Sequence, residues 1–103
     1  MKILGHEYKV EFYEHLDKER SATGECNHSR MKIVLDPTFP DSIVEETFLH
    51  EVFEAIKIHL GYFDRLPHEM ITQLSETLYQ VIKDNPEYFS IRVKKDEYIR
   101  RTT

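Results

Sequence analysis

"DSIVEETFLHEVFEAIKIHLG", residues 41–61, decides the fold. "PDSIVEE" has the form of a helix start. Asp41 or Ser42 can cap it, and acids fill the first turn, where the helix dipole favours them. Gly61 is a natural stop, so the spacing predicts a helix over about 42–60. At about 100° per residue, Phe48, Leu49, Val52 and Ile56 form one apolar face. Ile43 and Ile58 point to the opposite side, with Phe53 and Ala55 between. A helix apolar on several sides is packed on several sides, so this one is expected at the centre of its domain. His50 and Glu54 stand one turn apart on the face opposite Val52, in the less watery half of that helix.

Working outward, "RLPHEM" starts a second helix, with Pro67 in its first turn, running over about 67–83 and ending before "DNP". Met70, Ile71, Leu74, Leu78, Val81 and Ile82 fall in one arc, while Glu69, Thr72 and Glu76 lie away from it. This predicts an ordinary amphipathic helix with one buried face. Upstream, "YKVEFYE" (8–14) and "MKIVLD" (31–36) alternate as strands do, and Pro37 and Pro40 end the ladder. Residues 16–29 are polar and aperiodic, and read as a loop or a long hairpin connection. "YFSIRV" (88–93) reads as a strand or an irregular wrap. Tyr62, Phe63, Tyr79, Tyr88 and Phe89 read as core or core-edge packing. The expectation is an α+β fold: one domain over 1–90, with a small antiparallel N-terminal sheet packed on the two helices, then a basic tail or extra strand over 91–103.

A chain of 103 residues, 40% hydrophobic and 32% charged, is the size and composition of one globular domain. Its net charge of −5 is uneven: residues 92–103 hold five Lys/Arg against two Asp/Glu, which leaves −8 on the rest. So acidic a body argues against nucleic acid as partner, since phosphate binding needs a broad positive face. No apolar run is long enough for a membrane span. "MKILGHEYKV" does not have the form of a secretory signal. A single cysteine, Cys26, forms no internal disulfide, which points to a reducing cytosol.

The chemistry concentrates at His50-Glu51-x-x-Glu54. Side chains four apart on a helix share one face and can grip one metal ion. Zinc accepts imidazole nitrogen and carboxylate oxygen, and a catalytic site takes three protein ligands. In the zinc-peptidase signature His-Glu-x-x-His, the Glu after the first His is the general base that takes a proton from water. By that pattern His50 is the first ligand, Glu51 the base, and Glu54 occupies the second-ligand position. A carboxylate there is chemically allowed. As an added anion it weakens the polarising power of the ion and tilts preference from zinc toward harder ions such as manganese. For a third ligand, Glu76 points away from its helix's apolar arc and His68 sits at the edge of that arc. His59 falls on the Val52 side, and His28 and Cys26 form a short Cys-x-His pair. The plain alternative for His50 and Glu54 is a helical pair worth a few tenths of a kcal/mol.

"LHEVFEAI" (49–56) and "LYQVIKDNP" (78–86), within residues 47–86, resemble small zincin-like proteins of bacteriophages and prophages, distant relatives of the ImmA/IrrE-type metallopeptidases. "GECNHSRMKIVLD" (24–36) is similar to the strand before the active helix in that family. The resemblance covers about residues 1–88. It implies a mini-zincin with His50 as first ligand, Glu51 as base and Glu54 as second ligand. Relatives with Glu at that position pair it with a His at the place of His68, which makes His68 the implied third ligand. It further implies a phage or prophage protein acting in the cytosol of the bacterial host on an unknown protein or peptide. Membranes and nucleic acid are not expected partners. The variant motif leaves three roles open: a weakly active or non-catalytic descendant, a binding module for a host or phage protein, or a working hydrolase using zinc or manganese.

Overall fold

The computed structural model describes residues 1–16, 23–61 and 65–89. The expectation of a basic tail or strand at the C-terminus lies outside these, as do Tyr62 and Phe63. Among the described residues, five short strands precede two helices: β1 (Lys2–Ile3), β2 (His6–Glu7), β3 (Lys9–Phe12), β4 (Gly24–Asn27), β5 (Lys32–Leu35), α1 (Asp41–Leu60) and α2 (His68–Asp84). The class is α+β, a small sheet with two helices, as the sequence predicts.

β1 and β2 pair antiparallel as a separate ribbon. The main sheet has the order β3-β5-β4, with β4 antiparallel and β3 parallel to β5. β5 is central because its alternation is cleanest: Ile33 and Leu35 are fully buried, and Phe12 beside Leu35 joins them. β4 forms inside the stretch read as a loop. Its first three residues are half-buried and Asn27 is exposed, with no apolar alternation, so its pairing with β5, not its own pattern, makes it a strand.

α1 lies between the sheet and α2, touching β1, β4, β5 and α2. Val44 and Ala55 enter the core, with Phe48, Val52 and Ile56 packed against it. The central position predicted from its several apolar sides is the one it takes. Its start differs in detail: Pro40 is the cap, no side chain caps the helix, and Asp41 is already in the first turn. At its end Gly61 adopts the left-handed conformation, φ 73°, and its N–H reaches the Ile58 carbonyl.

α2 departs from expectation in a way that matters for the site. Of the predicted buried arc only Ile71 is buried, and Ile82 is half-buried. Met70, Leu74, Leu78 and Val81 are 36–44% exposed. The inner face instead carries Ile71, Ser75 and Tyr79. The helix has rolled toward its polar side because that side finds partners. The Tyr79 hydroxyl donates to Glu45 Oε1 on α1 (2.7 Å), and the Ser75 hydroxyl satisfies itself on the Ile71 carbonyl (2.6 Å). Tyr88 and Phe89, read as packed aromatics, are 79% and 45% exposed beyond the helix end. Among the described residues no helix is long and apolar enough to cross a membrane.

Candidate metal centre

His68, Thr72, Ser75 and Tyr79 follow the i, i+4, i+7, i+11 spacing of one helix face. The roll of α2 therefore turns His68 toward α1, where the antiparallel packing sets it beside Glu54. His68 Nδ1 lies 3.0 Å from Glu54 Oε2, and His50 Nε2 lies 3.4 Å from the same oxygen. The two imidazole centroids are 4.8 Å apart at an interplanar angle of 63°. One ligand atom from each of His50, Glu54 and His68 lies within 4.8 Å of the other two.

That spacing can be tested against a metal. Tetrahedral bonds of about 2.0–2.1 Å put ligand atoms roughly 3.3–3.4 Å apart. The His50–Glu54 edge at 3.4 Å matches, and the His68–Glu54 edge at 3.0 Å is a hydrogen bond's length, a few tenths short. Small rotations of His68, which is 69% exposed, suffice to open that edge. The two edges that Glu54 makes are close to those around a zinc-sized ion, and the three residues could hold a metal ion.

The electrostatics agree with ligation. Burial holds the His50 imidazole below its usual range, opposed by the Glu54 charge and reinforced by His68. That shift favours the neutral imidazole, the form that ligates a cation. Glu51 is 8% exposed. Its carboxyl is pushed up to about 7, first by burial and then by the charges of Glu54 and Glu25. A carboxylate poised near neutrality can both accept and return a proton, which is what general-base work asks for.

His50, Glu51 and His68 open on a cleft of about 470 Å³ between α1, α2 and the start of β4. Glu46, Thr47, Thr72 and Ser75 line the rest of its helical walls. Its third wall exists because residue 24 is glycine. A Cβ there would come within 2.6 Å of Thr47 Cγ2 and 2.9 Å of the Val34 carbonyl. The Thr23 and Thr47 hydroxyls, 3.1 Å apart, join the same two elements.

The other candidates are elsewhere. His59 stacks on His6 at 4.2 Å and its Nε2 lies 2.6 Å from the Tyr8 hydroxyl. Glu76 is exposed on the outer side of α2, and His28 is exposed in the turn after β4. Cys26 faces the core from β4, its thiol pushed up to about 11 by burial first, then by Glu51 and Glu54. A thiol so raised is a poor ligand or nucleophile. Lys57, on which the motif is silent, was missed: its Nζ lies 3.5 Å from Glu54 Oε1. The signal available was its i, i+3 spacing from Glu54.

No family model, curated protein or solved structure matches the chain.

Proposed function

We propose that the protein is a zincin-like metal-dependent hydrolase of phage or prophage origin, acting on a peptide bond. The observation that carries this is the convergence of His50, Glu54 and His68, with both histidines and the buried Glu51 lining one cleft. With His68 as third ligand the set is two imidazoles and one carboxylate. That is the composition of known catalytic zinc sites, with the His and Glu positions exchanged. Glu54 then adds no anion beyond the usual count. The loss of polarising power expected from the sequence applies only if the third ligand is another acid.

In this reading His50, Glu54 and His68 hold the ion, and zinc suits two nitrogens and one oxygen better than manganese does. The ion, when bound, supplies Lewis acidity toward water and the substrate carbonyl. Glu51 accepts the proton from the attacking water and returns it to the leaving amine. Its burial keeps that proton within the site rather than exchanging with bulk solvent. Glu46 adds a negative charge to the cleft, and the hydroxyl of Thr72 adds a polar edge for a peptide backbone.

The test is a zinc-loaded preparation against a pool of fluorogenic peptides. Glu51→Gln is expected to retain one zinc per chain and to lose hydrolysis by about a hundredfold or more. Equal hydrolysis by Glu51→Gln and wild type would remove Glu51 from the chemistry. The competing role, a binding module with no chemistry, predicts no zinc-dependent cleavage in either protein.

A further inference from the structure

The two oxygens of Glu54 have different neighbours. Oε2 faces both histidines, at 3.4 Å from His50 Nε2 and 3.0 Å from His68 Nδ1. Oε1 faces Lys57 Nζ at 3.5 Å. Both partners are largely withdrawn from water, with 18% of the Glu54 side chain and 16% of the Lys57 side chain exposed. A lysine in the last turn of a helix needs no special reason, because the helix dipole favours a cation there. A free lysine in that position extends into solvent, however, and this one folds back onto a carboxylate one turn earlier.

We propose that Lys57 is a positioning residue for the metal centre, holding Glu54 Oε1 so that Oε2 alone is presented to the ion and offsetting the charge of that carboxylate. The inference rests on the metal-centre reading above and concerns how that centre is tuned. Two consequences follow. First, Glu54 ligates through one oxygen, which keeps the protein ligands at three atoms and leaves a position open for water, as a catalytic site requires. Second, Lys57 and Glu54 together contribute no net charge. The donor set then behaves electrostatically like three neutral imidazoles, and the ion keeps its polarising power. The cost is affinity: an ammonium a few ångströms from a divalent ion repels it, and the half-buried setting screens that repulsion weakly.

The sign of that cost separates tuning from mere packing. A lysine that only props up the helix end weakens metal binding, or leaves it unchanged, when it is removed. A lysine that offsets Glu54 strengthens binding when it is removed. Lys57→Met keeps the apolar stem and deletes the charge, and Lys57→Arg keeps the charge.

Zinc titrations of metal-free protein by competition with a chromophoric chelator read the affinity, and cobalt(II) substitution reads the coordination. Lys57→Met is expected to bind zinc about tenfold more tightly than wild type. Its cobalt absorption should weaken as Glu54 swings to two-oxygen ligation and the ion gains a fifth bond. Lys57→Arg should keep wild-type affinity and spectrum. Equal or weaker zinc binding by Lys57→Met, with a wild-type cobalt spectrum, overturns the role of Lys57 and leaves the metal centre standing. Absence of zinc binding in wild type overturns the metal centre itself, and Lys57 with it. Should Lys57→Met not fold, Lys57→Gln makes the same comparison.

Discussion

α1 and α2 both deliver polar side chains to one cleft, by opposite routes. α1 is apolar on several sides and enclosed by the sheet and α2, so His50 and Glu54 are half-buried simply because the helix is so throughout its middle. α2 has a far sharper division between apolar and polar faces, yet it leaves Met70, Leu74, Leu78 and Val81 well exposed and turns Ser75 and Tyr79 inward. The difference teaches that an apolar arc reports where a helix can be buried, and partner groups decide where it is. Glu45 holds Tyr79, and Glu54 holds His68, at opposite ends of the α1–α2 contact.

The largest test of this contrast is at the ligands. His50→Ala or Glu54→Ala on α1 removes a half-buried donor and is expected to weaken zinc binding by about a hundredfold or more. His68→Ala on α2, an exposed donor that water can replace, should cost about tenfold. Calorimetric titration measures both, and a larger loss for His68→Ala than for His50→Ala would invert the ranking of the two helices.

Packing gives the next effect. Ile71→Ala deletes a fully buried side chain and should cost about 2–4 kcal/mol of stability. Leu74→Ser and Leu78→Ser, on the arc that pattern alone would bury, should each cost less than about 1 kcal/mol. Urea denaturation reads all three. Equal costs at Ile71 and Leu74 would mean that α2 is not rolled.

The third prediction concerns the metal-free protein. The fold keeps Glu51 neutral up to about pH 7, whereas its ordinary value is 4.5. A raised carboxyl contributes stability below its unfolded value and loses it as pH rises through the folded one. Glu51→Gln should therefore be more stable than wild type above pH 7, by on the order of 3 kcal/mol. The gain should vanish below about pH 4.5. A gain that is the same at pH 4 and pH 8 would assign it to packing instead.

The helices were the most legible part of the chain, because Pro40, Gly61 and Pro67 punctuate them and the punctuation is local. β4 was not, since "GECN" carries one apolar residue, and its strand character comes from the ladder with β5, a non-local contact. Nor was the parallel pairing of β3 with β5, which depends on β4 taking the far edge. In the site, the His50–Glu54 pair could be read from spacing. Glu51 could be named from the motif, but the burial that raises its carboxyl depends on the closure of α1 by its neighbours. His68 came from resemblance, because it lies only at the edge of its own helix's apolar arc. Lys57 has no motif, and its relation to Glu54 Oε1 needs side-chain geometry.

The measurement that bears most directly on the metal centre is the metal content of wild-type protein purified without chelator or polyhistidine tag, read by elemental analysis. One zinc per chain is expected, absent in Glu54→Ala, with a melting temperature that falls when the zinc is stripped and returns when it is restored. Protein that carries no metal, and whose melting temperature ignores added zinc and manganese, would contradict the metal centre.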